Sequence, residues 1–348
     1  MRVVITGGAG FIGANLCRHL VARPEVSTVV VVDDLSSGSL ASLDGVATET
    51  LVGSILDDAV LDRALRGAAS VVHLAARPSV PLSIADPEAS HDVNATGTVR
   101  VLESVRRHSV SHVVVASSSS VYGANPCLPK HEDLAPAPRS PYAASKLAAE
   151  SYTLAWSQVW GFGALAFRFF NVFGPLQPAR HAYAAVIPAF VDAILAGRPV
   201  EVHGDGRQTR DFTFVDSVCD ILTRAVVERV HCDRPVNLAF GGRYDLLQVL
   251  DLLEEIVGYP VARQHVGPRP GDVRDSQADR TRLDALFPGV SPVPLEEGLR
   301  RTIAWWRSGL AHPVDERLVE PVVQEHVVPS RVEGADTPQV GREEPVAE

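Results

Sequence analysis

A tyrosine and a lysine stand four residues apart in the stretch PYAASKLAAE, at positions 142 and 146. Residues with this spacing lie on one face of a helix, so the Tyr142 phenol and the Lys146 ammonium can enter the same pocket. A phenol of pKa near 10 becomes a base at neutral pH only if that pKa falls by about three units, which takes about 4 kcal/mol. A cation about 4 Å away, at an effective dielectric constant of about 20, supplies that order of energy. The pair therefore predicts a proton-transfer site.

Four consecutive serines, Ser117–Ser120, end the apolar run of VVVASSSSVYG ahead of this pair. One serine at the end of a strand is ordinary turn chemistry. A tyrosine and a lysine that merely pack on a surface helix are likewise the alternative for an isolated Tyr-x-x-x-Lys pair. The cluster and the pair become informative only together with the glycine-rich turn described next.

The glycine-rich turn GGAGFIG places Gly7, Gly10 and Gly13 between the apolar run RVVIT and the start of a helix. Such glycines permit a tight turn and let a pyrophosphate approach the helix N-terminus, where free amides and the helix dipole favour an anion. Asp33 ends the second apolar run, where it can bind both ribose hydroxyls of NAD and would repel the extra phosphate of NADP. A bare glycine turn and an Asx turn are the alternatives for the two motifs taken singly. Together they predict an NAD site.

Short β-branched runs alternate with helical patterns along the first half of the chain, as in RVVITG, TVVVVDD, SVVHLAA and HVVVASS. Continuous apolar runs are typical of parallel strands that helices cover on both faces. We therefore predict a doubly wound α/β fold of the Rossmann type, with an NAD-binding domain in residues 1–170 to which later segments return. Loops rich in Gly, Pro and Arg predict a smaller C-terminal α/β substrate-binding lobe over residues 171–310. Residues 311–348 are predicted to form a flexible tail.

The bulk properties argue against several classes of function. The chain of 348 residues carries a net charge of −10, which disfavours general affinity for nucleic acid or an anionic membrane. Its four cysteines are scattered without metal-ligand spacing, so no metal site is expected. The start MRVVIT does not resemble a signal peptide, and the apolar runs are shorter than the roughly 20 residues of a membrane span. A cytoplasmic protein is expected.

The glycine turn, the serine cluster and the Tyr-x-x-x-Lys pair, in this order, resemble the extended short-chain dehydrogenase/reductase superfamily, and within it the nucleotide-sugar 4-epimerases. The resemblance covers about Met1 to Ser308. It implies that Tyr142 takes the proton from O4 of a UDP-sugar, that Ser118 binds this oxygen and relays the proton, and that Lys146 holds the nicotinamide ribose. Hydride then passes from C4 to NAD⁺ and returns to the opposite face, which yields the C4 epimer. The resemblance also implies a homodimer formed through two helices that flank the site.

The implied cofactor-binding residues extend beyond the glycine turn. The segment HLAA, residues 73–76, would lie close to the cofactor, whereas His73 itself is expected to be a packed, hydrogen-bonded histidine rather than a catalyst. Ser54 stands where relatives often have an aspartate that reads the adenine amino group, and Ser54 or Asp57 is expected to compensate. The implied NAD-binding residues are Gly7, Gly10, Phe11, Ile12, Asp33, Ser54, Ile55, Leu74, Ala75, Ala76, Asn94, Tyr142 and Lys146.

Four later segments resemble the family's nucleotide-sugar site. They are the substrate strand FRFFNVFGP, the uracil-covering segment YAAVIPAF, and the diphosphate- and ribose-binding loops HGDGRQTRDF and GPRPGD. Two arginines suit one diphosphate, because a guanidinium pairs with phosphate oxygens and never deprotonates. The implied substrate-binding residues are Ser79, Ser83, Ser118, Ser119, Ser120, Tyr142, Asn171, Arg180, Val186, Arg210, Arg269 and Asp272.

The identity of the sugar is harder to predict. Arg77, Arg180 and His181 add cationic donors near the implied hexose site, which favours a C6 carboxylate and hence conversion of UDP-glucuronate to UDP-galacturonate. However, Pro178 stands where some hexuronate epimerases have an arginine, so Arg180 would have to take over that role. UDP-glucose and UDP-N-acetylglucosamine are therefore the alternative substrates.

Two other functions remain as alternatives within the same fold. Sugar 4,6-dehydratases carry an Asp-Glu pair just after the position of Ser118, but Ser119 and Ser120 occupy those places here. Two hydroxyls cannot replace two carboxylates in the elimination of water, which disfavours dehydration. A non-catalytic NAD-binding sensor would be expected to have lost Tyr142 and Lys146, and both are present.

Overall fold

A computed structural model describes residues 1–179, 185–267 and 274–309. The predicted tail and the predicted site residues Arg180, Arg269 and Asp272 lie outside these ranges. The described strands are β1 (Arg2–Thr6), β2 (Thr28–Asp33), β3 (Glu49–Val52), β4 (Ser70–His73), β5 (His112–Ser118), β6 (Gly163–Phe169), β7 (Asn171–Phe173), β8 (Val200–His203), β9 (Thr209–Arg210), β10 (Phe212–Phe214), β11 (Val236–Leu238), β12 (Tyr244–Asp245) and β13 (Arg263–Val266).

The described helices alternate with these strands. They are α1 (Phe11–Val21), α2 (Asp58–Leu65), α3 (Val80–Ala85), α4 (Pro87–His91), α5 (Gly97–Arg107), α6 (Pro141–Trp160), α7 (Val186–Leu195), α8 (Val215–Val227), α9 (Leu246–Val257), α10 (Thr281–Leu286) and α11 (Leu295–Arg307). A π-helical segment, Asp92–Thr96, precedes α5, and 3₁₀ turns form at Leu40–Leu43 and Ser119–Tyr122. No described helix is long and apolar enough to cross a membrane.

Seven parallel strands form the central sheet, in the order β11-β6-β5-β4-β1-β2-β3. Alternate valines of β1 enter different hydrophobic clusters, Val3 on one face of the sheet and Val4 on the other. Both faces are therefore covered, as the unbroken apolar runs predict. The predicted doubly wound Rossmann-type fold is confirmed, and β11 shows a segment beyond residue 170 joining the sheet edge.

Three two-stranded sheets follow the sixth strand in the chain. β7 pairs in parallel with β10, β8 in parallel with β13, and β9 in antiparallel fashion with β12. The first pair brings Asn171 opposite Phe212, next to Arg210. These small sheets carry the residues that face the central sheet across the cavity described below.

Local signals fix the helix that carries the Tyr-x-x-x-Lys pair. The Ser140 hydroxyl accepts the Ala143 N–H, Pro141 occupies the first turn, and Gly161 ends α6 in the left-handed conformation at φ 73°. The 20-residue helix packs along β5 and β6. Its first turn consequently lies at the carboxyl ends of these strands.

Candidate active site

A cavity of about 830 Å³ opens at the carboxyl edge of the central sheet. Ligands of open α/β sheets bind at this edge. Gly13 of the glycine turn and Arg77 line the cavity, and so do fifteen of the implied cofactor- and substrate-binding residues: Gly7, Gly10, Phe11, Ile12, Asp33, Ile55, Leu74, Ala75, Ala76, Ser118, Tyr142, Lys146, Asn171, Val186 and Arg210.

The glycine turn leaves no room for side chains. Gly7 has φ +72°, and a Cβ there would lie 2.7 Å from the Ala75 amide nitrogen. A Cβ on Gly13 would lie 2.2 Å from the Gly7 carbonyl oxygen, so α1 packs directly on the turn. Gly10 caps α1 without any side-chain hydrogen bond, which leaves the first amides of the helix uncapped by a side chain toward the cavity. The turn forms a cradle for an anionic group.

Asp33 ties the end of β2 to this turn. Its carboxylate accepts the Ala9 N–H at 2.9 Å and the Leu35 N–H at 2.9 Å. Burial raises its pKa, and these two backbone hydrogen bonds oppose that rise. Each carboxylate oxygen keeps a second lone pair, so the group can still accept hydrogen bonds from two ribose hydroxyls.

Three other predicted cofactor residues have structural partners and are not among the described residues that line the cavity. The Ser54 hydroxyl accepts the Leu56 N–H at 3.1 Å, and the proposed substitute Asp57 caps α2 by accepting the Ala59 N–H at 2.8 Å. The Asn94 side chain binds both backbone polar groups of Arg77, at 2.8 and 3.3 Å. The Asn94 side chain thus holds the backbone of Arg77, which lines the cavity. A role of Asn94 in cofactor binding stays a prediction.

Ser118 and Tyr142 meet at the end of β5. The Ser118 hydroxyl accepts hydrogen bonds from the Ser120 N–H at 3.1 Å and from the Ser120 hydroxyl at 2.8 Å. These two bonds occupy both of its lone pairs, so its own proton is free to be donated. Donation to Tyr142 lowers the pKa of the phenol. In this arrangement Ser118 is a donor, and relaying a proton would require the Ser120 hydroxyl to rotate away.

Burial dominates the protonation of the Tyr-x-x-x-Lys pair in the protein alone. Burial raises the pKa of Tyr142, and the hydrogen bond from Ser118 only partly offsets it. Burial also lowers the pKa of Lys146 to about 8. The sequence prediction rested on the charges of Lys146 and of a bound nicotinamide, and it left out this desolvation of the phenol. A second positive charge in the cavity would lower the pKa of the phenol.

His73 lies beneath this pair as a packed, hydrogen-bonded residue, as expected. Its Nδ1 lies 2.7 Å from the Thr6 hydroxyl and its Nε2 lies 3.0 Å from the Thr98 hydroxyl. Burial, followed by the charge of Lys146, lowers its pKa to about 3. A histidine that stays neutral and is bonded at both nitrogens supports the sheet and has no free nitrogen for catalysis.

The sequence matches the NAD dependent epimerase/dehydratase family over residues 3–239. The chain belongs to that family. It is 36% identical over 315 residues to the UDP-glucose 4-epimerase of Mycolicibacterium smegmatis, covering 88% of this chain and 99% of that one. A probable UDP-glucuronate 4-epimerase of Rhizobium meliloti is 32% identical, covering 88% of this chain and 97% of that one.

Solved structures agree with the sequence matches. The UDP-N-acetylglucosamine 4-epimerase from Methanobrevibacter ruminantium M1, in complex with UDP-N-acetylmuramic acid, superposes with a TM-score of 0.83 at 33% identity. The match covers 88% of this chain and 98% of that one. The prediction of an NAD-dependent enzyme of the UDP-sugar 4-epimerase family is confirmed.

The cavity of this family member fits NAD. The space over Gly7 and the uncapped start of α1 suit a pyrophosphate, and the buried Asp33 suits the adenosine ribose. The positive nicotinamide ring would add the charge that the Tyr142 phenol lacks in the protein alone. NAD⁺, when bound, supplies an acceptor for a hydride.

Ser79 and Ser83, two predicted hexose contacts, make hydrogen bonds that support α3 and α6. The Ser79 hydroxyl caps α3 by accepting the Leu82 N–H at 3.2 Å. The fully buried Ser83 donates to the Val80 carbonyl at 2.7 Å and accepts the Tyr142 N–H at 3.0 Å. Neither serine, nor Ser119 or Ser120, is among the described residues that line the cavity. Ser83 fixes the backbone of Tyr142, and direct contacts to sugar stay predictions.

The predicted substrate residues Asn171, Val186 and Arg210 also line the cavity. The Asn171 side chain donates to the Asp211 carbonyl at 3.3 Å, which orients it beside Arg210. Arg210 is buried and donates to the carbonyls of Thr209 at 2.8 Å and Arg274 at 3.2 Å. Its guanidinium is therefore held in place at the cavity surface.

Several lining residues were missed by the sequence argument. Polar ones are Ser36, Ser37, Gln177, His203 and Gln208, and aromatic ones are Phe169, Phe170, Phe173 and Phe212. Ser36 and Ser37 belong to the DDLSSG turn, so the position of that turn at the end of β2 was an available signal. His203 and Gln208 belong to the segment HGDGRQTRDF, which the sequence did single out, although these two residues were not chosen within it. Gln177 lies in a loop whose approach to the cavity depends on tertiary packing, and no local pattern marks it.

Proposed function

We propose that this enzyme interconverts UDP-glucuronate and UDP-galacturonate by inverting C4. The observation that carries the reaction type is the convergence of Ser118, Tyr142 and Lys146 with the glycine turn in one cavity. This arrangement supports proton transfer at a sugar hydroxyl next to a hydride acceptor.

The chain's own residues would handle the proton at O4. The Tyr142 phenolate takes the hydroxyl proton and later returns it, while the Ser118 hydroxyl donates to the oxygen that carries developing charge. Lys146 is buried at the same edge and holds positive charge near the phenol. Ser83 and Ser140 hold the first turn of α6, which keeps the phenol aligned.

The charges of the cavity argue against dehydration. Among the described lining residues, the carboxylates are Asp33, which ends β2, and Asp34, which follows it, both at the proposed adenosine end. Eliminating water from the sugar requires an acid and a base beside the hexose. The described wall near Tyr142 offers hydroxyls there, so epimerisation suits it better.

Arg77 supports the choice of a uronic sugar. It lines the cavity, and its guanidinium contacts Asp86 at 3.0 Å in a pair whose side chains are 31% and 51% exposed. An ion pair this exposed is worth at most about 1 kcal/mol, so a substrate carboxylate can replace Asp86. The backbone of Arg77 is fixed by Asn94, which keeps the side chain near the cavity.

UDP-glucose is the second candidate. Arg77 already has the Asp86 carboxylate as a partner, and Pro178 cannot bind a C6 carboxylate where some hexuronate epimerases have an arginine. The 36% identity to a UDP-glucose 4-epimerase supports the same choice. The assay below separates the two.

We expect the purified protein to convert UDP-glucuronate to its C4 epimer without added cofactor and without net NADH. The anomeric proton signals in NMR spectra, recorded separately with UDP-glucuronate, UDP-glucose and UDP-N-acetylglucosamine, measure this.

Arg77→Met should raise KM for UDP-glucuronate at least about tenfold, which corresponds to the loss of one charge-assisted hydrogen bond. The same variant should leave KM for UDP-glucose unchanged.

Arg100→Met provides the matched control, because Arg100 pairs with Asp58 at 3.3 Å on an exposed surface. Turnover of UDP-glucose alone would reject the uronic sugar but keep the epimerase. A stable keto product or accumulated NADH would reject epimerisation itself.

We propose further that the enzyme is a homodimer formed through α5 and α6. Tyr152, Trp156 and Trp160 stack along α6 with ring centroids 5.5 and 5.0 Å apart. Val159 and Trp160 are 69% and 45% exposed, and Trp156 donates to Glu103 of α5. An exposed aromatic ridge on α6, linked to α5 through Glu103, suits burial against a second copy of itself.

The double variant Val159→Glu/Trp160→Glu should therefore be monomeric, because like charges would meet across the two-fold axis. Light scattering coupled to size-exclusion chromatography measures the mass. Tyr259→Glu, at an exposed aromatic residue of another surface, should leave the dimer intact. A monomeric wild type, or a double variant that stays dimeric, would contradict this interface.

The cytoplasmic location stays a prediction.

A further inference from the structure

Gln177 lines the cavity and has a side-chain oxygen without a hydrogen-bond partner among the described residues. Its Nε2 donates to the Val172 carbonyl at 3.1 Å. A carbonyl can only accept, so this bond fixes the amide with nitrogen toward Val172 and with Oε1 on the other side. Oε1 is buried and has no hydrogen-bond partner among the described residues. A buried acceptor left unpaired costs about 1–3 kcal/mol, which a ligand with a donor would recover.

The loop that carries Gln177 is fastened to the dinucleotide side of the cavity. Asn15 of α1 donates to the Pro175 carbonyl at 3.0 Å and to the Phe11 carbonyl at 2.9 Å. Leu176 adopts φ +69°, which a side chain rarely does, and Gln177 N–H donates to the Gly174 carbonyl at 3.3 Å. The first turns of α1 therefore hold the loop, and the same helix opens at the glycine turn.

The chemistry of an amide oxygen narrows its possible partner. The amide oxygen only accepts hydrogen bonds, so a contact with the oxygens of a pyrophosphate or a carboxylate is unfavourable. Its partner must be an N–H or O–H donor. The donors of NAD are its ribose hydroxyls, the adenine amino group and the nicotinamide carboxamide. Asp33 stands at the adenosine end of the cavity. Gln177 binds Val172, which lies just beyond the end of β6. The neighbouring strand β5 ends at Ser118, so Gln177 belongs to the end of the cavity where the nicotinamide would lie.

We propose that Gln177 Oε1 accepts a hydrogen bond from the carboxamide N–H of bound NAD. The bond would fix which way the carboxamide points and hence which face of the nicotinamide ring meets the sugar. The proposal rests on NAD as the cofactor and is independent of which sugar reacts.

The test is a competition between two cofactors on the full-length protein, from which the NAD retained through purification has first been removed. NAD⁺ is mixed with an equal concentration of its 3-acetylpyridine analogue, which has a methyl group in place of the carboxamide nitrogen. After equilibration, free nucleotide is removed by gel filtration, and the bound nucleotides are released and quantified by chromatography. The ratio of bound NAD⁺ to bound analogue is independent of the fraction of protein that is folded.

Gln177→Leu should lower this ratio about two- to tenfold relative to wild type, the value of one neutral hydrogen bond. Gln177→Met, with an unbranched side chain of similar length, should give the same shift, and the exposed Gln264→Leu should give none. A ratio that is unchanged in both Gln177 variants overturns the proposal. If these variants instead raise KM for the UDP-sugar at a constant ratio, the donor belongs to the sugar and the proposal is likewise rejected.

Discussion

Tyr142→Phe is expected to lower kcat about 10²- to 10⁴-fold, the range that general acid–base groups contribute. The change removes only the phenolic oxygen, and the backbone N–H that binds Ser83 stays in place. We therefore expect the fold and NAD binding to be unchanged. Progress curves with the best UDP-sugar substrate give kcat, and the content of bound NAD gives the cofactor occupancy.

Tyr259→Phe is the matched control for this substitution. Tyr259 also donates one hydrogen bond, to the Ile194 carbonyl at 3.3 Å, but it is not among the described residues of the cavity. Its variant should keep wild-type kcat. Activity within about threefold of wild type in Tyr142→Phe would contradict the role of the phenol as base, since even the smallest expected effect is about 100-fold.

Local sequence signals were sufficient to predict the Rossmann-type sheet and the position of the cavity. The runs before Gly7 and up to Asp33 and Ser118 end at one edge of a parallel sheet, because parallel strands all end on the same side. The spacing of Tyr142 and Lys146 on one helix then brings their side chains to the same edge. These inferences depend only on strand and helix periodicity, which residues close in the chain determine.

Long-range contacts explain what the sequence argument missed. The Ser83 hydroxyl accepts the Tyr142 N–H from 59 positions away in the chain, a contact that was not predicted. Asn94 likewise binds Ser145, 51 positions away, at 2.9 Å. The rise in the pKa of Tyr142 comes from burial, which depends on packing from many elements at once. No local sequence pattern predicts such contacts. Each of them nevertheless includes a residue that had been identified as a candidate site residue from the sequence.

Glu150 and Arg168 form a buried ion pair behind the catalytic helix. Arg168 Nη2 and Nε contact the Glu150 carboxylate at 2.7 and 3.0 Å, and both side chains are no more than 5% exposed. Burial acts to lower the pKa of Arg168, but the hydrogen bonds and charge of Glu150 outweigh it and raise the pKa. The Ser117 hydroxyl also donates to Glu150 at 2.6 Å. The carboxylate thus joins α6, β5 and β6 immediately beside Ser118.

Glu150→Gln should lower the free energy of unfolding by about 3–5 kcal/mol, because Arg168 would remain buried without a counter-charge. The amide keeps the shape of the side chain, so the loss reports the charge rather than a cavity. Chemical denaturation measures the free energy. Glu296→Gln is the control, since Glu296 pairs with Arg300 where both side chains are 51% exposed, and a change of at most about 0.5 kcal/mol is expected.

The double variant Glu150→Leu/Arg168→Met tests whether the ion pair itself stabilises the fold or whether the fold only requires that neither charge is buried alone. An apolar pair of similar volume leaves no buried charge, so the double variant should be more stable than Glu150→Gln. It should nevertheless lose activity, because Ser117 would lose its acceptor and the end of β5 that carries Ser118 would no longer be tied to α6. A cost below about 1 kcal/mol for Glu150→Gln would show that Arg168 finds other partners, such as the Glu132 carbonyl at 3.3 Å. Wild-type kcat in the double variant would show that α6 is aligned by its first turn alone.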